Sequence, residues 1–282
     1  MSNYRFVISA FGDEIDPDLE TQLQHLKSLN VHHLELRSAW GTNVVDMTNK
    51  QIEQVKSLCN TYSINISGLG SPLGKVSIES PMAGEIAKMH RLVDVCRALE
   101  VNAVRIFAYY PTGNPNNALP LAIERIQQLV DIAAEHNITL MLENDEDLVA
   151  DIPARCHHIL NTVGSPHLRM AWDAANFITS GVKNPVTGHF SQLKDDIGVV
   201  HVKDKQAADN SRRAAGDGDA QISELLAALA EANYAGYLAV EPHPYILDGM
   251  GEVHGKIGMQ HAVDALRNLL NDGQLQESNA LS

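Results

Sequence analysis

Four apolar runs in the second half of the chain each carry an ionisable group of a type that binds metal. TLMLEND delivers Glu143, LRMAWDA delivers Asp173, GVVHVKD delivers His201 and GYLAVEP leads into Glu241. Taken singly, a carboxylate at the end of such a run is more often a helix cap or a solvated group, and a lone histidine is more often a hydrogen-bonded core residue. Convergence changes the chemistry, because desolvated carboxylates cannot share one site without a cation or protons to offset their repulsion. Three carboxylates and one neutral imidazole sum to −3, so a divalent ion would leave about −1. An oxygen-rich set of this kind favours Mn2+, Mg2+ or Co2+, with Zn2+ a further candidate, and leaves coordination positions for a bidentate substrate.

Those runs belong to a longer series. RFVISAF, HHLELRS, INISGLG and AVRIFAY precede them, which makes eight candidate strands. Their nearly continuous apolar character suits a parallel sheet covered on both faces. Segments of helical period lie between. Asp16 and Pro17 fall in cap and first-turn positions ahead of Leu19, Leu23 and Leu26, and Asn30 is placed to end that helix. Thr48 and Gln51 form a capping-box pattern before Ile52 and Val55. Ser80 and Pro81 open a third helix, and later apolar faces carry Leu121, Ile126, Leu129 and Ala133, then Phe190, Leu193 and Ile197. The fold class this alternation predicts is α/β: a single-domain (β/α)8 TIM barrel over residues 1–272, followed by a polar tail, 273–282, that frays. No GxGxxG follows the first strand, which counts against a doubly wound dinucleotide-binding sheet. Reactive groups in a TIM barrel project from the C-terminal ends of the strands, where all four groups above would lie.

Across 282 residues, 21 basic against 35 acidic side chains give a formal charge of −14. That balance repels a phosphate backbone, so nucleic acid is not an expected partner. No apolar stretch approaches the ~20 residues that span a bilayer, so no membrane role is expected. The N-terminus lacks a basic region followed by an apolar signal run, so the expected location is cytoplasmic. Cys59, Cys96 and Cys156 form no CxxC pair and suggest neither disulfides nor a thiolate zinc site.

The ordered set of Glu143, WDAAN, HVKD with His201 and VEP with Glu241 resembles the xylose isomerase-like TIM barrels. These include sugar and sugar-phosphate isomerases and epimerases, keto-inositol dehydratases and the endonuclease IV group. GDGDAQISELLAALAEANYAGYLAVE also looks like the family's stretch joining strands seven and eight. The resemblance implies that Glu143, Asp173, His201 and Glu241 bind one catalytic metal, and that Glu143 and Glu241 also act as acid and base, as in ketose 3-epimerase-like members. The implied reaction is isomerisation or epimerisation of a small carbohydrate, a sugar or sugar phosphate, by proton transfer next to a carbonyl through a metal-stabilised enediolate. A dehydratase of a keto-inositol or keto-sugar is the nearest alternative, and a non-catalytic sugar-binding barrel is a third. The family also implies a homo-oligomer.

Asn176 stands where the family often has the histidine of Asp-x-x-His. An amide hydrogen-bonds a hydroxyl but is a poor zinc ligand. Strands three and four run into GLGSP and FAYYP without histidine, so the three-metal endonuclease arrangement is not expected. Asp217 and Asp219 in GDGD read as a turn near the next helix cap rather than as ligands of a second metal. Beyond Asn176, the expected substrate-binding residues are Lys203, Glu35, His243 and the loop arginines Arg212 and Arg213. Spacing does not choose between the two arginines. Arg37, Arg105 and Tyr245 are further candidates for the pocket wall, and His157 and His158 read as structural or exposed.

Overall fold

All eight apolar runs form strands in the computed structural model, which describes residues 4–247 and 251–281. They are β1 (Arg5–Phe11), β2 (His33–Leu36), β3 (Asn65–Leu69), β4 (Ala103–Ile106), β5 (Thr139–Glu143), β6 (Leu168–Asp173), β7 (Ile197–Val202) and β8 (Ala235–Val240). Each pairs in parallel with its neighbours, and β1 pairs with both β2 and β8, which closes a TIM barrel. Parallel neighbours cannot be joined by tight turns, so each step is bridged by a crossover over the barrel wall.

The crossovers carry the helices α1 (Leu19–Ser28), α2 (Asn49–Tyr62), α3 (Met82–Leu99), α4 (Pro115–Glu135), α5 (Pro153–Val163), α6 (Ala174–Thr179), α7 (Pro185–Leu193) and α8 (Ile222–Glu231), with α9 (Gly255–Asp272) after β8. Their apolar stripes face the barrel. Leu19, Leu23 and Leu26 of α1 are fully buried, as are Ile126, Leu129 and Ala133 of α4. The capping box of Thr48 and Gln51 is formed at the start of α2. Cys59, Cys96 and Cys156 are free and buried. Among the described residues no helix is long and apolar enough to cross a membrane.

Three local expectations need correction. Asp18, not Asp16, caps α1: its carboxylate accepts from the Thr21 amide at 3.0 Å, while Asp16 accepts from the Asp18 amide at 2.8 Å. Leu121 is 39 % exposed, because the inward stripe of α4 runs through Ala118, Ala122 and Ile126 and passes beside it. Ile197 does not extend α7; a 3-10 turn at Lys194–Asp196 ends that segment, and Ile197 opens β7. The tail makes contacts with β1 and α9. The Ser278 amide donates to the Phe6 carbonyl at 2.7 Å, and Arg267 pairs with Glu277 at 2.9 Å. These bonds use backbone and one ion pair, so polar composition alone concealed them. Residue 282 of that tail and residues 1–3 and 248–250 of the barrel range lie outside the described residues.

Register places the chemistry. Asp173 at the end of β6 lies directly opposite His201 on β7, and Glu143 pairs with Ala171, two residues before Asp173. A strand has a side-chain period of two, so all three point to the same inner face. Ala239 is also opposite His201, which sets Glu241 two steps further out, just past the end of β8.

Candidate active site

Asp173 combines two roles of a strand-end carboxylate. It caps α6, with Oδ1 accepting from the Asn176 amide at 2.8 Å. The same side chain turns Oδ2 inward, where Lys203 Nζ stands 2.7 Å away. Its backbone is bracketed by Asn144, whose Nδ2 donates to the Asp173 carbonyl at 2.7 Å and whose Oδ1 accepts from the Asp173 amide at 2.9 Å. The ends of β5 and β6 are thereby locked together.

Glu143 has His201 Nδ1 at 3.0 Å from Oε1 and Arg105 Nη1 at 3.2 Å from Oε2. The other nitrogen of His201 faces Glu35 at 3.4 Å, and Phe11 packs edge-on against its ring. Glu241 is held by Arg37 at 2.6 Å through Oε1 and by Lys203 at 3.1 Å through Oε2. Glu143, Asp173, His201 and Glu241 are each at most 2 % exposed, and one ligand-type atom from each lies within 4.8 Å of the others. Glu143 Oε2, Asp173 Oδ2 and His201 Nε2 are buried without a well-formed hydrogen bond. Three carboxylates and an imidazole, with one such atom on each of Glu143, Asp173 and His201, suit a divalent ion, and this cluster could hold one. Glu14, Glu241 and His243 also converge, but there Arg37 already bonds Glu14 at 2.5 Å and Glu241 at 2.6 Å, supplying the cation.

The site's charges set one another. Burial opposes ionisation of Glu143, but His201, Arg105 and Lys203 outweigh it and bring the carboxyl to about 2. Burial likewise opposes ionisation of Glu241, and Lys203 and Arg37 overcome it, so its carboxyl falls well below the usual range. For Asp173 burial prevails over the attraction of Lys203, with Glu143 adding repulsion, and the carboxyl rises to about 6. Burial disfavours the His201 imidazolium, yet Glu143 and Glu35 raise it to about 10. Above the cluster opens a cavity of roughly 360 Å³.

The model of the xylose isomerase-like TIM barrel family matches residues 23–269. The chain belongs to the xylose isomerase-like TIM barrel family. Among characterised relatives it is similar to the fructoselysine 3-epimerase of Shigella flexneri, 24 % identical over 208 residues, covering 70 % of this chain and 74 % of that protein. It is also similar to the 3-dehydroshikimate dehydratase of Bacillus anthracis, 24 % identical over 179 residues and covering 60 % and 61 % of the two chains. A xylose isomerase domain protein of Planctomyces limnophilus shares the fold with a TM-score of 0.74 at 18 % identity, covering 96 % and 99 %.

In this xylose isomerase-like barrel the other expected residues divide. Asn176 lines the cavity; its Nδ2 donates to the Asn144 carbonyl at 2.9 Å and lies 3.5 Å from Glu143 Oε1. Lys203 is at the centre of the cluster. His243 is at the rim, with Nδ1 3.1 Å from Glu14 and Nε2 3.5 Å from Glu241. Of the two arginines, Arg212 lines the cavity, whereas Arg213 turns to Asp209 at 3.6 Å and does not. Glu35 does not line it either. It sits beneath His201 and borders a separate space lower in the barrel, because β2 ends one layer short; Arg37, two residues on, is what reaches the cavity. Tyr245 is buried away from the cavity, with its hydroxyl donating to the Gly258 carbonyl at 3.2 Å.

GDGD is a turn, wrapped around Asp204. That carboxylate accepts from the amides of Gly216 at 2.9 Å, Gly218 at 3.1 Å and Ala220 at 3.0 Å. A Cβ at Gly218 would meet Asp204 Oδ1 at 2.3 Å, so only glycine fits. Asp219 does not cap α8, whose N-cap is Gln221; it accepts from the Ala207 amide at 2.7 Å and closes the loop. Sequence reasoning missed Asn144, Lys75 and Lys205. The signal for Lys205 is present in HVKDK, where His201, Lys203 and Lys205 alternate onto one face.

Proposed function

We propose that this chain is a divalent-metal-dependent isomerase or epimerase that moves a proton on the carbon beside a carbonyl of a small carbohydrate. Glu143, Asp173, His201 and Glu241 would hold the ion, with Mn2+, Mg2+ or Co2+ best matched to the donor set. The observation that carries this reading is the pair of glutamates bounding one buried cluster. Each is kept ionised by a pair of neighbouring cations, Glu143 by His201 and Arg105 and Glu241 by Lys203 and Arg37.

When bound, a divalent ion supplies Lewis-acid charge to a substrate carbonyl and its neighbouring hydroxyl, which acidifies the carbon-bound proton between them. The chain's own part is proton handling. With Glu143 as the carboxylate that takes that proton, Glu241, itself ionised, must first accept a proton from the Lys203 ammonium 3.1 Å away before it delivers one to the opposite face, so that Glu143 ends protonated and Lys203 neutral. Arg37 and Arg105 fix the carboxylate planes, so neither base must be ordered at the moment of reaction. Asn176 presents a polar group to the substrate at the cavity wall.

A dehydratase of a keto-inositol or keto-sugar is the second reading, supported by the likeness to the 3-dehydroshikimate dehydratase. It begins with the same proton removal and ends with loss of a β-hydroxyl as water. Incubating Mn2+-loaded protein with a panel of ketoses and keto-inositols in D2O separates the two. Deuterium incorporation without loss of water supports the isomerase, and loss of water supports the dehydratase. If no substrate gains deuterium or loses water, the site does not perform this chemistry.

A further inference from the structure

Two cations that line the cavity form no close ion pair among the described residues. Lys205 and Arg212 are directly opposite each other on the antiparallel ribbon formed by Asp204–Lys205 and Arg212–Arg213, and both line the cavity. Like charges placed opposite on neighbouring strands repel. Lys205 is only 9 % exposed, and its one hydrogen-bond partner among the described residues is neutral: Nζ donates to Thr179 Oγ1 at 2.7 Å. The Thr179 hydroxyl gives its own proton to the Ala175 carbonyl at 3.1 Å, so it can only accept from the lysine. Arg212 makes no side-chain bond among the described residues.

The neighbouring acids do not answer these charges. Asp145 is occupied by Lys75 at 2.6 Å, and Asp204 is spent on the amides of the GDGD turn. Glu146 lies on the same wall and attracts Lys205 without forming a close pair. A largely desolvated ammonium with only a neutral partner is unfavourable unless an anion completes it. The grip of Asp204 on its turn holds the ribbon that presents both cations, so the arrangement is fixed before any ligand arrives.

We propose that Lys205 and Arg212, with Thr179 orienting the lysine, form a subsite for an anionic group on the substrate, a carboxylate or a phosphate monoester. The group would sit at the end of the substrate remote from the reacting carbonyl. Lys205 lies two residues beyond Lys203, roughly 7 Å along an extended chain, which is a few carbon atoms from the cluster. The identification of the ligand as substrate rests on the isomerase reading above; the recognition of an anion does not.

Polyol analogues without a carbonyl test it, because they bind and cannot turn over. Calorimetric titration of the full chain, metal-free and Mn2+-loaded, compares ribitol, D-ribonate and D-ribitol 5-phosphate. At least one anionic analogue is expected to bind tenfold or more tightly than ribitol, and which one does so separates carboxylate from phosphate. Lys205→Gln and Arg212→Gln together should cut that preference below threefold, while Lys205→Arg, which keeps the charge, should retain it. Equal binding of all three analogues, absence of binding by both anions, or a preference that survives the double substitution overturns the subsite. Loss of deuterium exchange with the preference intact would remove only the isomerase reading.

Discussion

Lys203 Nζ stands 2.7 Å from Asp173 and 3.1 Å from Glu241, among the side chains that would hold a divalent ion. Without a metal, this ammonium is the cation shared between Asp173 and Glu241, while Arg105 and His201 answer Glu143 and Arg37 also holds Glu241. Burial works against it, but Asp173, Glu241 and Glu143 push its pKa up, so it is charged at any physiological pH.

Replacing Lys203 by Met should therefore act in opposite directions on the two forms. Removing one partner from a buried ion pair typically costs about 3–5 kcal/mol, because the other charge is stranded. The metal-free variant should lose stability on that scale, whereas its Mn2+ affinity should rise, since the competing cation is gone. Thermal melts with EDTA and with excess Mn2+, alongside calorimetric metal titration, measure both. A Lys203→Met protein that melts with the parent in EDTA would show that the lysine is not the counter-ion.

Metal uptake should depend on pH with a definite sign. Burial favours neutral His201, yet Glu143 and Glu35 hold it protonated up to about 10. A ligand imidazole must be neutral, so binding expels that proton and affinity should climb towards the alkaline side, by up to tenfold per unit. The folded value lies above the ordinary 6.5, so the stability this group contributes is complete below 6.5 and is lost as pH rises through about 10. Metal-free protein should weaken across that window. Glu35→Gln removes one of the two raising charges and should move the window downward. Proton release read by titration in buffers of different ionisation enthalpy gives the answer directly, and uptake indifferent to pH between 7 and 9 would contradict it.

The two glutamates are predicted to be separable from the fold. Glu143→Gln and Glu241→Gln preserve shape, and each should slow carbon–deuterium exchange by about 10²–10⁴, the usual contribution of a positioned acid or base. Circular dichroism should be unchanged. Exchange as fast as in the parent in either variant would exclude that residue from proton transfer.

Sequence reading succeeded where a local rule coincides with a global one. Apolar runs ending on Glu143, Asp173 and His201 became neighbouring strands because continuous apolar character means burial on both faces, and a closed parallel barrel then brings every strand end to one rim. It failed where depth decides. Glu35 and Arg37 share a face and differ by one layer, and only the length of β2 shows that the arginine enters the cavity while the glutamate lies under His201. The choice of Arg212 over Arg213 was equally hidden, since it depends on the pairing Lys205↔Arg212 across a short ribbon set by Asp204. The tail against β1 is held by pairings between residues more than 250 positions apart, such as Gln276 with Tyr4, which no local pattern encodes.

Asn176 supplies the last prediction, on metal count. Its amide ties the Asn144 carbonyl at 2.9 Å, and its backbone is capped by Asp173 at 2.8 Å, so it connects the ends of β5 and β6. Asn176→Ala forfeits one part-buried hydrogen bond, about 1 kcal/mol, and frees the Asn144 carbonyl. Mn2+ affinity should drop several-fold through looser placement of Glu143 and Asp173. Asn176→His restores the Asp-x-x-His pattern, yet β3 and β4 lead into GLGSP and FAYYP, which offer no partner imidazole. The histidine variant should therefore still bind one ion per chain, as should the parent. Metal analysis of both proteins after dialysis against Zn2+ decides the matter: two or more tightly held ions in the parent would refute the single-metal site, and a second ion only in the variant would show that this one side chain sets the count.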